Sequence, residues 1–180
     1  MEIKKTKIEG VIEIYPRVFG DERGFFYEPF HEKRYKDAIG DFTFVQDNLS
    51  KSSKNVLRGL HFQKPPHAQG KLVSVITGSV FDVAVDIRKE SPTFGEWVGV
   101  VLSGEKKNQL WIPPGFAHGF VSLEDNTIFS YKCTNLYHPE SEGCLKWNDP
   151  NLQIDWNAVN PIISPKDELG ESFVNFVTPF

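Results

Sequence analysis

Several cationic or titratable side chains occur close together in one stretch of the sequence, residues 56–78. Among them are Arg58, His61, His67 and Lys71, and most of their neighbours are small or apolar. A charged or titratable group in an apolar, strand-rich setting costs free energy unless it has a partner or a function. Imidazole titrates near neutral pH, so proton transfer is the chemistry that these residue types would support. We therefore interpret this stretch as a functional site.

The elements that must position these side chains are predicted to be short strands. Residues 71–76 nearly alternate between polar and apolar types, and a turn signal, Thr77-Gly78-Ser79, follows them. Similar runs, punctuated by Gly and Pro, occur at residues 11–15, 25–28, 42–49, 80–87, 97–102, 110–112, 117–123 and 128–133. Residues 32–39, ended by Gly40, form the one predicted helix of the N-terminal half. From residue 145 onward we expect loops with a few short elements.

Strands of this length and spacing predict one all-β domain over residues 1–180, folded as a sandwich or barrel. Several strands carry polar residues on a face that would point inward. These are Gln46, Asn48, Arg58, His61, Lys71, Asp82 and Tyr131. A barrel that keeps polar side chains inside usually holds a ligand.

Composition excludes several functional classes. The 180 residues are 39% hydrophobic and 24% charged, with a net charge of -4, which favours a folded protein and gives no support for nucleic-acid binding. No apolar run is long enough to span a bilayer, and the N-terminus lacks the apolar segment of a secretory signal. The two cysteines, Cys133 and Cys144, are too few and wrongly spaced for a zinc cage or a disulfide framework, and we interpret both as small buried apolar side chains. We expect a cytoplasmic protein.

Motifs distributed along most of the chain resemble those of a known family. Gly59-x-His61 and Pro113-x-Gly115-x-x-His118 follow the cupin arrangement. Eight further motifs occur in the order DERGFFYE (21–28), QDNLS (46–50), LRGLH (57–61), QGKLV (69–73), GFAHGF (115–120), YKCT (131–134), YHP (137–139) and SPKD (164–167). In these motifs and their order the chain resembles, more closely, the dTDP-4-dehydrorhamnose 3,5-epimerase family of nucleotide-sugar epimerases.

This resemblance implies a cupin-type jelly roll with a few short helices and a cofactor-free, metal-free reaction. The substrate would be a 4-keto-6-deoxyhexose attached to thymidine diphosphate, whose ketone acidifies the protons at C3 and C5. His61 matches the base, and Asp167 the carboxylate that fixes its tautomer. Lys71 would stabilise the developing oxyanion, and Tyr131 matches the acid on the opposite face.

Binding residues carry over from the resemblance in the same way. Arg23, Arg58 and Lys166 would pair with the diphosphate, because Arg can offer two donors to phosphate oxygens. Tyr137 would stack on thymine, and Glu28 could accept a hydrogen bond from that base. Gln46, Asn48, His118 and Glu142 would contact other parts of the substrate. The family's active form is a homodimer with exchanged N-terminal strands, which implies that some contacts of residues 23–28 come from the neighbouring subunit.

Three alternatives remain open. A metal-dependent cupin could use His61, His67 and His118 as imidazole ligands. Against it, Gln63 stands where metal cupins place a second histidine, and Lys71 would repel a divalent cation. A non-catalytic sugar-binding module would retain the polar and aromatic residues but has no use for a His61–Asp167 pair. Within the epimerase interpretation, the sequence leaves open whether C3, C5 or both are inverted.

Overall fold

The computed structural model describes residues 1–180 and consists mainly of antiparallel strands with two short α-helices. The strands are β1 (Glu2–Lys5), β2 (Ile12–Tyr15), β3 (Val18–Asp21), β4 (Gly24–Tyr27), β5 (Gln46–Ser52), β6 (Leu57–Gln63), β7 (Lys71–Thr77), β8 (Ser79–Asp86), β9 (Trp97–Ser103), β10 (Gln109–Ile112), β11 (Phe116–Ser122), β12 (Thr127–Cys133) and β13 (Glu142–Cys144). The helices are α1 (Glu32–Ile39) and α2 (Pro165–Glu168). The all-β class expected from the sequence is confirmed.

Two sheets face each other across the main core. The first has the strand order β1-β2-β10-β7-β12-β5, and the second has the order β13-β6-β11-β8-β9. Apolar side chains from both sheets meet between them, such as Val73 and Phe129 from the first and Ala84 and Phe120 from the second. Strands β8 and β11 lie in the middle of the second sheet and are buried almost throughout, which explains their nearly continuous apolar sequence.

Each sheet is also covered on its outer face. On the first sheet, Tyr35 and Ile39 of α1 pack against Leu72 and Trp111. The helix has the predicted bounds and ends at Gly40, whose φ of 98° favours glycine. On the second sheet, the segment after β13 packs its apolar side chains, Trp156 among them, against the outward residues of β6, β8 and β11. The middle of each sheet is therefore held rigidly from both sides.

A charged cluster next to the second sheet is structural. Asp86 is fully buried and accepts hydrogen bonds from Arg88 Nη2 at 2.6 Å, Ser91 Oγ at 2.6 Å and Thr93 Oγ1 at 2.7 Å. Burial alone would raise the pKa of Asp86, but these donors lower it to about 2. The carboxylate thus fixes the loop between β8 and β9.

The sequence predictions were wrong in detail at three kinds of position. Residues 42–45 were expected to be part of a strand, but β5 begins at Gln46. Phe42 and Phe44 instead pack their rings against Trp111 at centroid distances of 4.8 and 5.9 Å. The short strands β1, β3 and β13, and the bounds of β6, were not predicted.

None of the helices combines the length and the apolar character that crossing a membrane requires.

Candidate active site

A cavity of about 500 Å³ opens between the two sheets. Its walls come from β5, β6, β7, β11, β12, β13 and α2. All the site residues expected from the sequence line it except Arg23 and Glu28. Those lining it are Gln46, Asn48, Arg58, His61, Lys71, His118, Tyr131, Tyr137, Glu142, Lys166 and Asp167. The fold thus assembles into one polar cavity residues that are far apart in sequence.

His61 and Asp167 form a hydrogen-bonded pair in this cavity. His61 Nε2 lies 2.9 Å from Asp167 Oδ1, and Asp167 Oδ2 accepts from the backbone N–H of Gly59 at 3.2 Å. Burial alone would raise the pKa of Asp167, but hydrogen bonds from His61, Gly59 and Ser164 hold that pKa below its ordinary value. A carboxylate that accepts the Nε2 proton leaves the other imidazole nitrogen, Nδ1, able to accept a proton. Nδ1 is buried and has no hydrogen-bond partner.

A pair of glycines brings the strand of this histidine close to its neighbour β11. Gly59 has a φ of 124°, and a Cβ at this position would lie 2.5 Å from the Cα of Gly119. A Cβ on Gly119 would lie 2.7 Å from the carbonyl oxygen of Arg58. Only two residues without side chains allow the two backbones to approach this closely.

A second histidine–aspartate pair lies on β11 and β8. His118 is directly opposite His61 in the strand register, and its Nε2 lies 2.9 Å from Asp82 Oδ2. Both residues are buried. Burial lowers the pKa of His118, with Asp82 opposing part of that shift. Sequence reasoning placed Asp82 on an inward face but gave it no role.

Lys71 and Tyr131 are the other titratable groups deep in the cavity. Burial lowers the pKa of Lys71, and no carboxylate oxygen lies within salt-bridge distance of its ammonium. Burial also raises the pKa of Tyr131, so its hydroxyl is protonated at neutral pH. The two residues come from adjacent strands, β7 and β12, where Tyr131 pairs with Val73. The cavity therefore holds a neutral acid and an uncompensated cation near the His61–Asp167 pair.

Glu142 connects the rim of the cavity to His61. Its Oε2 accepts from Tyr137 Oη at 2.7 Å and from Lys166 Nζ at 2.6 Å. Its Oε1 lies 3.3 Å from His61 Nδ1, without hydrogen-bond geometry. Burial alone would raise the pKa of Glu142, but the hydrogen bonds from Lys166 and Tyr137 lower it. Next to this cluster, Gln46 Oε1 accepts from the backbone N–H of Tyr137 at 2.8 Å.

Comparison with known proteins identifies the family. A model of the dTDP-4-dehydrorhamnose 3,5-epimerase family matches residues 5–175. The dTDP-4-dehydrorhamnose 3,5-epimerase of Salmonella typhimurium is 59% identical over 169 residues, covering 93% of this chain and 92% of that protein. The Shigella flexneri enzyme is 56% identical over 176 residues, 97% of each chain. The chain belongs to the dTDP-4-dehydrorhamnose 3,5-epimerase family.

Solved structures of epimerases agree with this assignment. The Legionella pneumophila dTDP-6-deoxy-D-glucose-3,5-epimerase, solved in complex with dTDP-4-keto-L-rhamnose, superposes with a TM-score of 0.94 at 54% identity. That match covers 98% of this chain and 94% of the Legionella chain. The dTDP-4-dehydrorhamnose 3,5-epimerase of Elizabethkingia anophelis gives a TM-score of 0.93 at 51% identity, covering 97% of each chain. The resemblance inferred from the sequence motifs is confirmed.

Two residues that the family motifs single out lie outside the cavity of the single chain. Arg23 is at the tip of the β3–β4 hairpin, where its side chain is 85% exposed and pairs with Asp21. Glu28 follows the hairpin and pairs with Arg34 of α1. Their predicted role in substrate binding is therefore not met within one chain.

The three histidines of the metal-cupin alternative do not come together. His67 stacks on His138 with ring centroids 3.9 Å apart, whereas His118 is paired with Asp82. A different group of potential ligands does form beside the cavity: His61, Asp167 and Cys144 place their ligand atoms within 4.8 Å of one another. Burial raises the pKa of the Cys144 thiol to about 12, and the carboxylates of Asp167 and Glu142 add to the shift. Sequence reasoning had treated this thiol as a small apolar side chain.

Proposed function

We propose that this chain converts dTDP-4-dehydro-6-deoxy-D-glucose to dTDP-4-dehydro-L-rhamnose by inverting C3 and C5. Family membership and the sugar nucleotide bound to the Legionella epimerase support the substrate and the double epimerisation. The observation that carries the mechanism is the His61–Asp167 pair, whose free imidazole nitrogen is buried beside a polar cavity.

His61 acts as the base in this mechanism. The 4-ketone acidifies the protons at C3 and C5, and His61 Nδ1 removes one of them as the electron pair moves onto the ketone oxygen. The resulting imidazolium is stabilised by Asp167, which is held by the Gly59 N–H and stays ionised because its pKa is lowered. The ketone itself accepts the electron pair, so the proposed step needs no cofactor.

Lys71 stabilises the negative charge that develops on the ketone oxygen. Its ammonium lines the cavity with no carboxylate within salt-bridge distance, so its positive charge is not fully balanced in the free protein. The negative charge that pairs with this ammonium develops on the enolate oxygen only as the proton leaves carbon. Stabilisation that appears in the transition state and not in the ground state accelerates the reaction.

Tyr131 returns a proton to the opposite face of the sugar. Its raised pKa keeps the hydroxyl protonated at neutral pH, as a proton donor requires. Inversion at each carbon then consists of loss of a proton to His61 and gain of a proton from Tyr131. An epimerase acting on only one carbon would use the same groups with a different sugar placement.

The remaining cavity residues are proposed to bind the substrate. Arg58 and Lys166 carry the charges for the diphosphate. The exposed ring of Tyr137 at the cavity rim is placed to stack on thymine. The polar side chains of Gln46, Asn48, His118 and Glu142 would contact the nucleotide or the sugar.

Arg23 and Glu28 are proposed to serve the site of a neighbouring copy in a homodimer that exchanges its N-terminal strands. The β3–β4 hairpin presents Phe25 and Phe26 to solvent with 63% and 66% of their surface exposed, although both are large apolar residues. Burial of this hairpin against a second copy would cover these rings and bring Arg23 toward a diphosphate. We further propose that residues 1–180 act as one domain in the cytoplasm, with neither nucleic acid nor membrane as a partner.

Mixing two inactive variants tests the shared site. In a dimer of Arg23→Ala with His61→Asn, one site has both mutations and the other has none. Random pairing would then restore about a quarter of the wild-type activity. Recovery after subunit exchange supports the shared site, whereas a mixture as inactive as its components contradicts it.

The proposed function is tested by proton NMR of chelator-treated protein with the 4-keto sugar nucleotide in deuterium oxide. We expect deuterium at both C3 and C5, and no exchange with His61→Asn, although this variant should still bind dTDP. Exchange at one carbon would reassign the chain as a single-centre epimerase. An absence of exchange until a divalent metal is added would contradict the mechanism.

A further inference from the structure

Three potential metal ligands from separate elements converge next to the proposed base. They are His61 on β6, Cys144 on β13 and Asp167 on α2. Cys144 lies directly opposite His61 in the register between β13 and β6. The imidazole Nε2 and the Asp167 Oδ1 are 2.9 Å apart, and the thiol sulfur completes a set within 4.8 Å.

These separations are close to those of a tetrahedral site. With bonds to zinc of about 2.0–2.3 Å, tetrahedral ligand atoms lie about 3.3–3.7 Å apart. The imidazole and the carboxylate would have to separate slightly, and the sulfur would have to approach. A rotation of the Cys144 side chain would supply that movement, because the backbone is fixed: the Cys144 carbonyl accepts from the Glu171 N–H at 2.8 Å, and Leu145 hydrogen-bonds to Leu60. The residue is also partly exposed, and the other two ligands line the main cavity.

The charges around the thiol favour a cation. The carboxylates of Asp167 and Glu142 both lie near Cys144, and the cation that acts on this thiol, Lys166, is paired with Glu142. Lys71, whose charge disfavours a metal in the main cavity, is not among the charges that act on the thiol. A set of thiolate, imidazole and carboxylate ligands suits zinc and similar thiophilic ions, whereas magnesium and calcium prefer oxygen ligands alone.

We propose that His61, Cys144 and Asp167 form a binding site for Zn²⁺, and that its occupation arrests the epimerisation. The site is inhibitory because of the proton balance. Zinc takes the lone pair of Nε2, the single proton of the neutral imidazole then resides on Nδ1, and the thiol proton is released to solvent. A histidine protonated at Nδ1 cannot accept a proton from the substrate, and Asp167 no longer stabilises an imidazolium.

Metal binding is tested without reference to turnover by titrating the chelator-treated full chain with Co²⁺. We expect a thiolate-to-cobalt absorption band in the near ultraviolet that Zn²⁺ abolishes by competition. Cys144→Ser should lose the band, and Cys133→Ser, the matched control at the other cysteine, should keep it. Loss of the band in the Cys133→Ser variant alone, or no band in the wild-type protein, would overturn the proposal.

Inhibition is then measured as the effect of Zn²⁺ on deuterium exchange at C3 and C5. The inhibitory effect rests on the proposed function, whereas the cobalt band does not, so the two can fail separately. Without metal, the Cys144→Ser variant should catalyse deuterium exchange at the wild-type rate, and this rate also verifies that the variant folds. The variant should need at least about tenfold more Zn²⁺ than the wild type for half-inhibition. Equal sensitivity of the variant and the wild type would refute the inhibitory role. If the variant does not fold, the Zn²⁺ concentration that protects Cys144 of the wild type from iodoacetamide is compared with the concentration that inhibits exchange. Inhibition without protection of Cys144 would refute the inhibitory role of this site.

Discussion

Replacing Asp167 with asparagine changes one atom of the proposed site and tests its central contact. Asp167 is 4% exposed, and its two oxygens receive the His61 imidazole and the Gly59 N–H. An asparagine carbonyl can still accept from Gly59, and its amide group then donates to His61 Nε2. This reverses the histidine tautomer, so the proton moves to Nδ1, the atom that must be free to act as the base.

The expected effect can be estimated from two consequences of the substitution, the loss of a charged hydrogen-bond partner and the reversal of the tautomer. A hydrogen bond to a charged group contributes about 1.5–3 kcal/mol, which corresponds to about 10- to 150-fold in rate. The wrong tautomer adds to this loss, and in serine proteases the equivalent change of a buried aspartate costs about 10⁴-fold. We therefore expect kcat to fall by about 10²- to 10⁴-fold with little change in KM, because the side chain acts on His61 and not on the nucleotide.

The assay is the initial rate of deuterium incorporation at C3 and C5 at several substrate concentrations. Asp149→Asn is the matched control, since Asp149 is a buried carboxylate that also accepts backbone N–H groups but is not part of the cavity. A general cost of burying an amide would appear in both variants. An Asp167→Asn enzyme with kcat within about threefold of the wild type would refute the assigned role of the pair.

Three further substitutions separate the remaining roles. Tyr131→Phe should retain the deuterium exchange catalysed by His61 but slow the inversion by at least about tenfold. NMR of the product measures the inversion, and inversion at the full rate would mean that another group is the acid. Lys71→Met should lower kcat by about 10²- to 10³-fold and raise the thermal midpoint, because it removes both the oxyanion partner and a partly desolvated charge without a salt-bridge partner. A lower midpoint would contradict that account. Asp86→Asn should lower the free energy of unfolding by about 2 kcal/mol at pH 7. The depressed pKa of Asp86 stabilises the fold above its unfolded-state pKa of about 4, and this stability is lost as the pH falls through about 2. Denaturant titrations that show the same deficit at pH 7 and pH 2 would contradict this linkage.

The sequence predicted the strands in which polar and apolar residues alternate, because this pattern indicates one buried face. It was less informative where tertiary contacts determine the backbone conformation. Phe42 and Phe44 alternate as in a strand, yet their burial is supplied by Trp111 on the outer face of the first sheet and not by strand pairing. The edge strand β13 has only three residues, and its existence depends on pairing with β6, which no local pattern reveals.

Residue types and motifs predicted most of the cavity, because the family motifs include the residues that line it. They could not assign different roles to Asp82 and Asp86, which share a face of β8. Asp82 is within hydrogen-bond distance of His118, whereas Asp86 meets a loop that supplies Arg88 and two hydroxyl groups. Only the fold decides which partner each carboxylate meets. The same holds for Cys144, since its approach to His61 comes from pairing between residues distant in sequence.

The contact between Gly59 and Gly119 has a consequence for the interpretation of genetic data. Neither residue has a functional group, yet a methyl group on either would push apart the strands that carry His61 and His118. At Gly59 it would also displace the amide that holds Asp167. A saturation screen for activity would therefore rank these two positions with the catalytic residues, and sensitivity to substitution would overstate the number of groups that contact the sugar. Separating the two classes requires chemical evidence, such as retained dTDP binding by a variant that no longer exchanges protons.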